Sequence, residues 1–122
     1  MSFKKYMVAL TCIVSLASGY ANAAASEKFK HNCKITTAKL IEGVNITKYI
    51  SDANSKTTGV YVVSSTGSTW VIPGARDYPD SYIAEEIRSI ALAAMTSGTN
   101  VNICASEKST PNIIWAIELE RE

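Results

Sequence analysis

The chain has 122 residues, of which 47% are hydrophobic and 19% are charged. A chain of this size and composition can form one small globular domain, and it fits neither the disordered nor the collagen-like class. Because the sequence contains no run of about 18 apolar residues, a transmembrane anchor is not expected.

Residues 1–23 have the pattern of a cleaved signal peptide. Lys4 and Lys5 form a positive start, an apolar segment spans residues 6–17, and Ala21-Asn22-Ala23 has the small residues of a cleavage site. We therefore expect a protein that is secreted through the periplasm, with a mature domain at residues 24–122.

Cleavage would change the charge balance. Removal of Lys4 and Lys5 leaves ten of the twelve basic residues against eleven acidic residues, a net charge of −1. This balance predicts no general attraction to nucleic acid or to an anionic lipid surface.

The cysteine count points to one disulfide. Cys12 lies in the leader, so the mature domain keeps Cys33 and Cys104, which are expected to pair after export. Closing the long loop between Cys33 and Cys104 would stabilise the fold by roughly 4 kcal/mol in the chain-entropy account. A reactive thiol or a metal site is the alternative, but two Cys and His31 are too few for structural zinc. No metal or cofactor is therefore expected.

The mature chain shows the following elements in order. A short helix over residues 26–33 is capped by Ser26, and residues 36–51, with a break at Gly43, suit two strands or one bent strand. A polar loop (52–59) precedes a hairpin of strands 60–63 and 69–72. A loop (73–79) leads into one long helix capped by Asp80 or Ser81 and ended by Gly98, and strands 101–104 and 113–119 follow.

The long helix and the last strand carry the main hydrophobic patterns. The apolar face of the helix is predicted to consist of Ile83, Ile87, Ile90, Ala91 and Ala94. In the last strand, alternation places Ile113, Trp115, Ile117 and Leu119 on one face, yet Ile114 and Ala116 make the other face apolar too. A subunit interface explains two apolar faces, and a centrally buried strand is the alternative.

This order of elements predicts a β-rich α+β domain. Four strands, a long helix and two further strands fit a small, partly open Greek-key barrel of the OB-fold (oligonucleotide/oligosaccharide-binding) type, with a short N-terminal helix.

Several segments resemble one known family. Residues 33–38 (CKITTA), 47–52 (TKYISD), 61–67 (YVVSSTG), 76–80 (RDYPD) and 111–120 (PNIIWAIELE) closely resemble the B subunits of type II heat-labile enterotoxins, in the same order along the chain. The resemblance covers residues 26–122. It implies a homopentamer, a ring in which the long helices surround a pore that holds a catalytic, ADP-ribosylating toxin A subunit. It further implies that the ring binds host-cell gangliosides and that this chain is not an enzyme.

The resemblance also implies particular site residues. The tandem threonines after the first disulfide Cys, Thr36 and Thr37, and Thr57 in the polar loop are expected to bind ganglioside sugars, because a hydroxyl both donates and accepts hydrogen bonds. Thr58 is an alternative to Thr57. From the residues alone, tandem Thr can instead begin a strand, and Thr57 can simply occupy a turn.

A second surface is implied near the C-terminal end of the long helix. Relatives have been associated there with an innate immune receptor, and the corresponding exposed residues at the pore rim are Leu92, Ala93, Thr96 and Ser97. A plain pore lining is the alternative. Trp70 and Trp115 are expected in the core or in an interface rather than in a sugar site.

Three other functions compete with this interpretation. The sequence lacks a nucleophile or phosphate-loop motif, and the pair Asp77 and Asp80 suits helix capping better than acid–base catalysis. A nucleic-acid-binding barrel conflicts with export and with the net charge. A secreted structural ring, or a lectin-like module that binds a protein receptor rather than gangliosides, remains as the alternative.

Overall fold

The computed structural model describes residues 24–74 and 81–120, with the side chain of Ser81 excepted. The predicted leader, residues 1–23, and the segment Arg76–Asp80 with its predicted helix cap lie outside the described residues. The elements are α1 (Glu27–Lys34), β1 (Lys39–Val44), β2 (Ile46–Asp52), β3 (Gly59–Ser64), β4 (Thr69–Ile72), α2 (Ser81–Ser97), β5 (Val101–Ala105) and β6 (Asn112–Leu119).

The strands form one mixed six-stranded sheet in the order β1-β5-β6-β4-β3-β2. Neighbours pair antiparallel except β4 and β6, which are parallel. The two edge strands, β1 and β2, follow one another in sequence with only Asn45 between them. Because neighbouring strands twist by roughly 20–25°, five steps turn β1 and β2 about 100° or more apart, so the chain rounds a corner at Asn45.

The sheet is not closed, since no pairing between β1 and β2 is recorded among the described residues. The predicted β-rich α+β class, with one short and one long helix, is confirmed. The two-strand interpretation of residues 36–51 is also confirmed, with the break at Asn45. Gly43 instead lies within β1, at φ 67°, where the register with β5 shifts between Ile41 and Val44. Only glycine adopts this φ without strain, so it permits the irregular register.

Both helices have the predicted end signals. Ser26 caps α1, because its hydroxyl accepts a hydrogen bond from the Phe29 N–H at 3.2 Å. Gly98, at φ 72°, ends α2, and the Thr99 N–H then donates to the Ala94 carbonyl at 3.1 Å. Neither helix in the described ranges is long and apolar enough to cross a membrane.

The core lies between the sheet and α2, which packs against β2, β4 and β6. Its members are apolar side chains from the strands and the helix: Val44, Ile46, Val62, Trp70, Ile72, Ile87, Ala91, Ala94, Val101, Ile103, Ala105 and Ile114. The prediction that Trp70 is a core residue is confirmed.

Two predicted faces need correction. On α2, Ile83 is exposed and Ala84 is buried, because the helix is rotated so that the smaller side chain meets the sheet. On β6, strict alternation is wrong: Ile114 is fully buried, whereas Trp115 and Leu119 are exposed. The β5–β6 register passes from Ala105–Ile114 to Cys104–Ala116, so Trp115 is the extra residue of a bulge and points away from the core.

Candidate functional site

The first candidate site residues lie between α1 and β1, in the segment Ile35–Ala38, here called the first threonine segment. Thr36 is exposed, and its hydroxyl donates to the Cys33 carbonyl at 2.7 Å and accepts from the Ala38 N–H at 3.1 Å. These bonds orient the hydroxyl toward its own backbone, which is the geometry of a local turn. Thr36 therefore has a structural role beside any binding role.

Thr37 differs from its neighbour. It is exposed, and no hydrogen bond of its side chain is recorded within residues 24–74 and 81–120. A hydroxyl of this kind can donate to one sugar hydroxyl and accept from another without breaking an internal bond. Thr37 is therefore the hydroxyl of this segment most available to a ligand.

Long-range contacts hold the first threonine segment. Cys33, two residues before Ile35, forms a disulfide with Cys104 of β5, with a Cα–Cα distance of 5.8 Å, which confirms the predicted pairing. At the start of α1, the Ala25 N–H donates to Glu42 Oε2 at 2.7 Å, and Ser26 donates through both its N–H and its hydroxyl to the Glu118 carboxylate. The helix that precedes the segment is thus tied to β1, β5 and β6.

Glu118 is the central acceptor of this network. Besides the two donors of Ser26, it accepts from Asn102 Nδ2 at 3.0 Å, and the Oδ1 of the same buried amide accepts from the Gly43 N–H at 3.0 Å. Partial burial raises the pKa of Glu118, but the hydrogen bonds from Ser26 and Asn102 together outweigh it and lower the pKa below its ordinary value of 4.5.

The second candidate lies in the loop of residues 53–58, here called the second threonine loop. Asp52 accepts from the Asn54 N–H at 2.8 Å and from the Thr57 hydroxyl at 2.7 Å. The Thr58 hydroxyl donates to the Asn54 carbonyl, and the Tyr61 hydroxyl donates to the Thr57 carbonyl at 2.7 Å. The N–H of Asn54 and then the hydroxyl of Thr57 hold the pKa of Asp52 below its ordinary 3.8.

The structure does not bring all three threonines together in one chain. Thr36 and Thr37 precede the start of β1, whereas Thr57 follows the end of β2, and β1 continues into β2 through Asn45. Each strand is about 20 Å long, so a corner between them leaves the two segments on the order of 30 Å apart. One protomer therefore carries the two threonine groups at opposite ends of the sheet.

The described residues also form two cavities that the sequence did not reveal. The first, of about 710 Å³, lies between β1 and the β3–β4 hairpin and is lined by Lys39, Glu42, hydroxyl residues of the hairpin turn and Trp70. The run Ser64-Ser65-Thr66-Gly67-Ser68-Thr69 was the available sequence signal, but its position facing β1 depends on the fold.

The second cavity, of about 660 Å³, lies beside the second threonine loop. Lys56, Thr58 and Arg88 line it above an apolar floor that includes Val71 and Ile113. Thr58, rather than Thr57, is among its lining residues. Two cations at a groove are suited to an acidic ligand, although Arg88 also lies 4.0 Å from Glu85.

The predicted pore-rim residues lie on the last turns of α2. Leu92 is 44% exposed, and Ala93 is exposed beside it. The Thr96 hydroxyl donates to the Leu92 and Ala93 carbonyls, at 3.0 and 3.1 Å, and the Ser97 hydroxyl donates to the Ala93 carbonyl at 2.7 Å. The two hydroxyls thus bond within the helix, and the outward surface here is mainly apolar.

Within the described ranges, no group of three or more His, Cys, Asp or Glu side chains is arranged to hold a metal ion. Asp77 and Asp80, the carboxylate pair that could serve acid–base catalysis, both lie outside those ranges.

The fold is shared with solved toxin subunits. The GM1-bound form of the ECX AB5 holotoxin aligns with a TM-score of 0.66 and 23% identity, over 81% of this chain and 100% of that one. The porcine Escherichia coli heat-labile enterotoxin B-pentamer in complex with lacto-N-neohexaose aligns with a TM-score of 0.67 and 17% identity, over 80% of this chain and 100% of that one. At such identities the likeness establishes the fold of cholera-toxin-like B subunits and nothing finer.

Sequence comparison is more specific. The heat-labile enterotoxin IIB B chain of Escherichia coli is 57% identical over 122 residues, which is 100% of both chains, and the heat-labile enterotoxin IIA B chain of the same organism is 50% identical over 122 residues, which is 100% of this chain and 99% of that one. The sequence profile of the type II heat-labile enterotoxin B subunit matches residues 1–122. This chain therefore belongs to the B subunits of type II heat-labile enterotoxins, the non-catalytic binding subunits of these toxins.

Proposed function

We propose that this protein is a secreted receptor-binding subunit that assembles into a ring of five, binds host-cell ganglioside oligosaccharides and delivers an ADP-ribosylating A subunit. The observation that carries the proposal is the family match over residues 1–122. Shared fold with the GM1-bound and lacto-N-neohexaose-bound subunits supports a glycan as the ligand class. Residues 1–23 would direct export through the periplasm as a signal peptide and would then be cleaved.

Exposed apolar side chains support assembly. Trp115 and Leu119 on β6, Ile50 on the edge strand β2, and Tyr82 and Leu92 on α2 are all at least 36% exposed. A ring of identical copies would cover such side chains and would pair the open sheet edges, and both features stabilise closed cyclic oligomers. The ring also raises the effect of weak glycan sites, because several sites can bind one membrane at once.

The separation of the threonine groups supports a shared groove. Thr36 and Thr37 lie at one end of the β1–β2 run and Thr57 lies at the other. In a head-to-tail ring, the first threonine segment of one copy can face the second threonine loop of its neighbour. We propose that a complete ganglioside site is built from two adjacent copies, with Thr58 contributing through the cavity that it lines.

The pore rim is proposed to contact an innate immune receptor through its apolar part, Leu92 and Ala93. The hydroxyls of Thr96 and Ser97 donate within α2, so toward a receptor they would act as hydrogen-bond acceptors. Exchange of Leu92→Ser should then abolish receptor signalling while leaving ganglioside binding intact.

The test of the main proposal is binding of the assembled, purified protein to immobilised gangliosides and their asialo forms. Thr37→Ala removes a hydroxyl without breaking a recorded internal bond, so we expect about tenfold weaker ganglioside binding with unchanged assembly. The matched control is Thr110→Ala, an exposed threonine before β6 whose side chain likewise has no hydrogen bond recorded among the described residues. If the assembled protein binds no ganglioside, the proposal is wrong, and the protein is instead a structural ring or a module that binds a protein receptor. Equal binding by Thr37→Ala and wild type would remove Thr37 from the site.

A further inference from the structure

Tyr61 links the second threonine loop to the sheet. It lies in β3 and is paired with Ile50 of β2 on one side and with Val71 of β4 on the other. The next residue of the strand, Val62, is fully buried in the core, so alternation places the Tyr61 ring on the outward face of the sheet. From there its hydroxyl extends beyond the end of the strand and donates to the Thr57 carbonyl at 2.7 Å.

Gly59 makes room for the ring in this position. A Cβ atom added at Gly59 would lie 3.3 Å from both Cζ and Oη of Tyr61, which is closer than most Cβ contacts in proteins. The ring therefore packs against the bare backbone of Gly59, and a glycine in a strand often marks such a close approach. A larger residue at this position would shift the ring and weaken the bond of its hydroxyl to Thr57.

The bond from Tyr61 differs in kind from the other hydrogen bonds of the second threonine loop. Within the part of the chain that the structure describes, those other bonds join residues two to five positions apart in the range 52–58, all of them through Asp52 or Asn54. They fix the shape of the turn, but the turn can still move as a unit about the paired residues Asp52 and Gly59 at its base. The Tyr61 hydroxyl restricts this motion, because it joins the loop to β3.

We propose that Tyr61 is a positioning residue for ganglioside binding, which fixes the second threonine loop against β3 and so holds Thr57 in the orientation that the glycan requires. The proposal rests on the proposed ganglioside function. Tyr61 acts through the loop rather than by contact with the sugar: it raises the fraction of molecules in which the loop has the binding orientation. The apparent affinity is proportional to that fraction, so loss of the bond weakens binding without removing a contact to the glycan.

The test removes the hydroxyl of Tyr61 and keeps its ring. Tyr61→Phe deletes the bond to the Thr57 carbonyl. The matched control is Tyr49→Phe on the neighbouring strand β2, because no hydrogen bond of the Tyr49 hydroxyl is recorded among the described residues. Both variants are purified as the full mature chain, and size-exclusion chromatography and thermal unfolding compare their assembly and stability with wild type. Binding to the immobilised gangliosides that wild type binds is then measured.

Tyr61→Phe should bind these gangliosides roughly three- to tenfold more weakly, the loss expected for one hydrogen bond, while the control matches wild type. Assembly and melting temperature should not change. Amide exchange at Asn54 and Lys56 should also match wild type, because the turn stays formed and only its orientation is released. Equal ganglioside binding by Tyr61→Phe and wild type overturns the proposal, and so does faster exchange at these two amides, which would show that Tyr61 maintains the shape of the turn.

A double-variant cycle with Thr57→Ala separates positioning from any other role of Tyr61. Thr57→Ala keeps the carbonyl that accepts from Tyr61 but removes the hydroxyl that this bond is proposed to orient, so Tyr61→Phe should cause little further loss of ganglioside binding in that background. A full further loss overturns the proposal, as does a Thr57→Ala variant that binds like wild type, and the proposed function stands in both cases. Absence of ganglioside binding by assembled wild type overturns the proposed function and this proposal together.

Discussion

The first threonine segment and the second threonine loop present the same side chain by different physical means. The helix before Ile35–Ala38 is held by a disulfide between residues 71 positions apart and by hydrogen bonds between residues 92 and 17 positions apart. The loop of residues 53–58 is held by hydrogen bonds between residues two to five positions apart. The first segment therefore depends on the whole fold, whereas the second is a self-contained turn.

Because of this difference, changes in the two regions should affect the global stability to different extents. A change that weakens the anchors of α1 should lower the global stability and disturb Thr36 and Thr37 together. A change within the second threonine loop should disturb Thr57 and leave the free energy of unfolding almost unchanged, because so few contacts outside the loop depend on it.

The largest effect is expected from loss of the disulfide. Cys104→Ser should lower the free energy of unfolding by about 4 kcal/mol in the chain-entropy account and should release the end of α1. Urea denaturation of the variant and of wild type, with and without dithiothreitol, measures this. Dithiothreitol should lower the urea midpoint of wild type and leave that of the variant unchanged. A variant with the midpoint of oxidised wild type would show that the fold does not need the covalent anchor.

The next effect is expected at Asn102, the buried amide between Gly43 and Glu118. Asn102→Ala leaves the Gly43 N–H and one bond of Glu118 without their partner, which should cost about 2 kcal/mol. The exposed Asn100→Ala is the matched control. Thermal unfolding should separate the two variants by several degrees, and coincident curves would exclude a structural role for this amide.

Much of the fold was predictable because its signals are local. Ser26 and Gly98 set helix ends through bonds within a few residues, and the two mature cysteines left a single pairing. The faces of α2 and β6 were less predictable, since the helix rotation and the bulge at Trp115 depend on packing between distant elements.

The candidate site was predicted only through resemblance. A single sequence shows that Thr36, Thr37 and Thr57 are polar, but not that they lie at opposite ends of one sheet. The two cavities form between strands that are far apart in sequence, so no local pattern marks them.

A smaller effect, dependent on pH, is expected at Glu118. Its pKa is lowered in the folded state, so its contribution to stability is complete above pH 4.5 and is lost as the pH falls through the folded-state pKa. Below pH 4.5, wild type should therefore lose more stability than Glu118→Gln, which has no carboxylate to protonate. Urea midpoints from pH 6 to about pH 3 measure this, with the exposed Glu85→Gln as control. If the urea midpoints of wild type and Glu118→Gln changed in parallel with pH, the Glu118 carboxylate would not contribute to holding α1.

The smallest effect on stability, and the sharpest test of the contrast, is expected at Asp52. The pKa of Asp52 is lowered by the Asn54 N–H and the Thr57 hydroxyl, so the turn is fully formed above pH 3.8 and loosens as the pH falls through the folded-state pKa. Asp52→Asn removes the charge that strengthens both bonds. The Asn54 N–H donates to Asp52, and the Lys56 N–H donates to Asn54 Oδ1 at 3.2 Å in the same turn. We expect an unchanged melting temperature, faster amide exchange at Asn54 and Lys56, and weaker ganglioside binding. In wild type, amide exchange at these two residues should become faster below pH 3.8, beyond the intrinsic pH dependence, whereas Asp52→Asn should show no such transition. A large fall in melting temperature would mean that the second threonine loop is coupled to the core, and the distinction between the two segments would then be wrong.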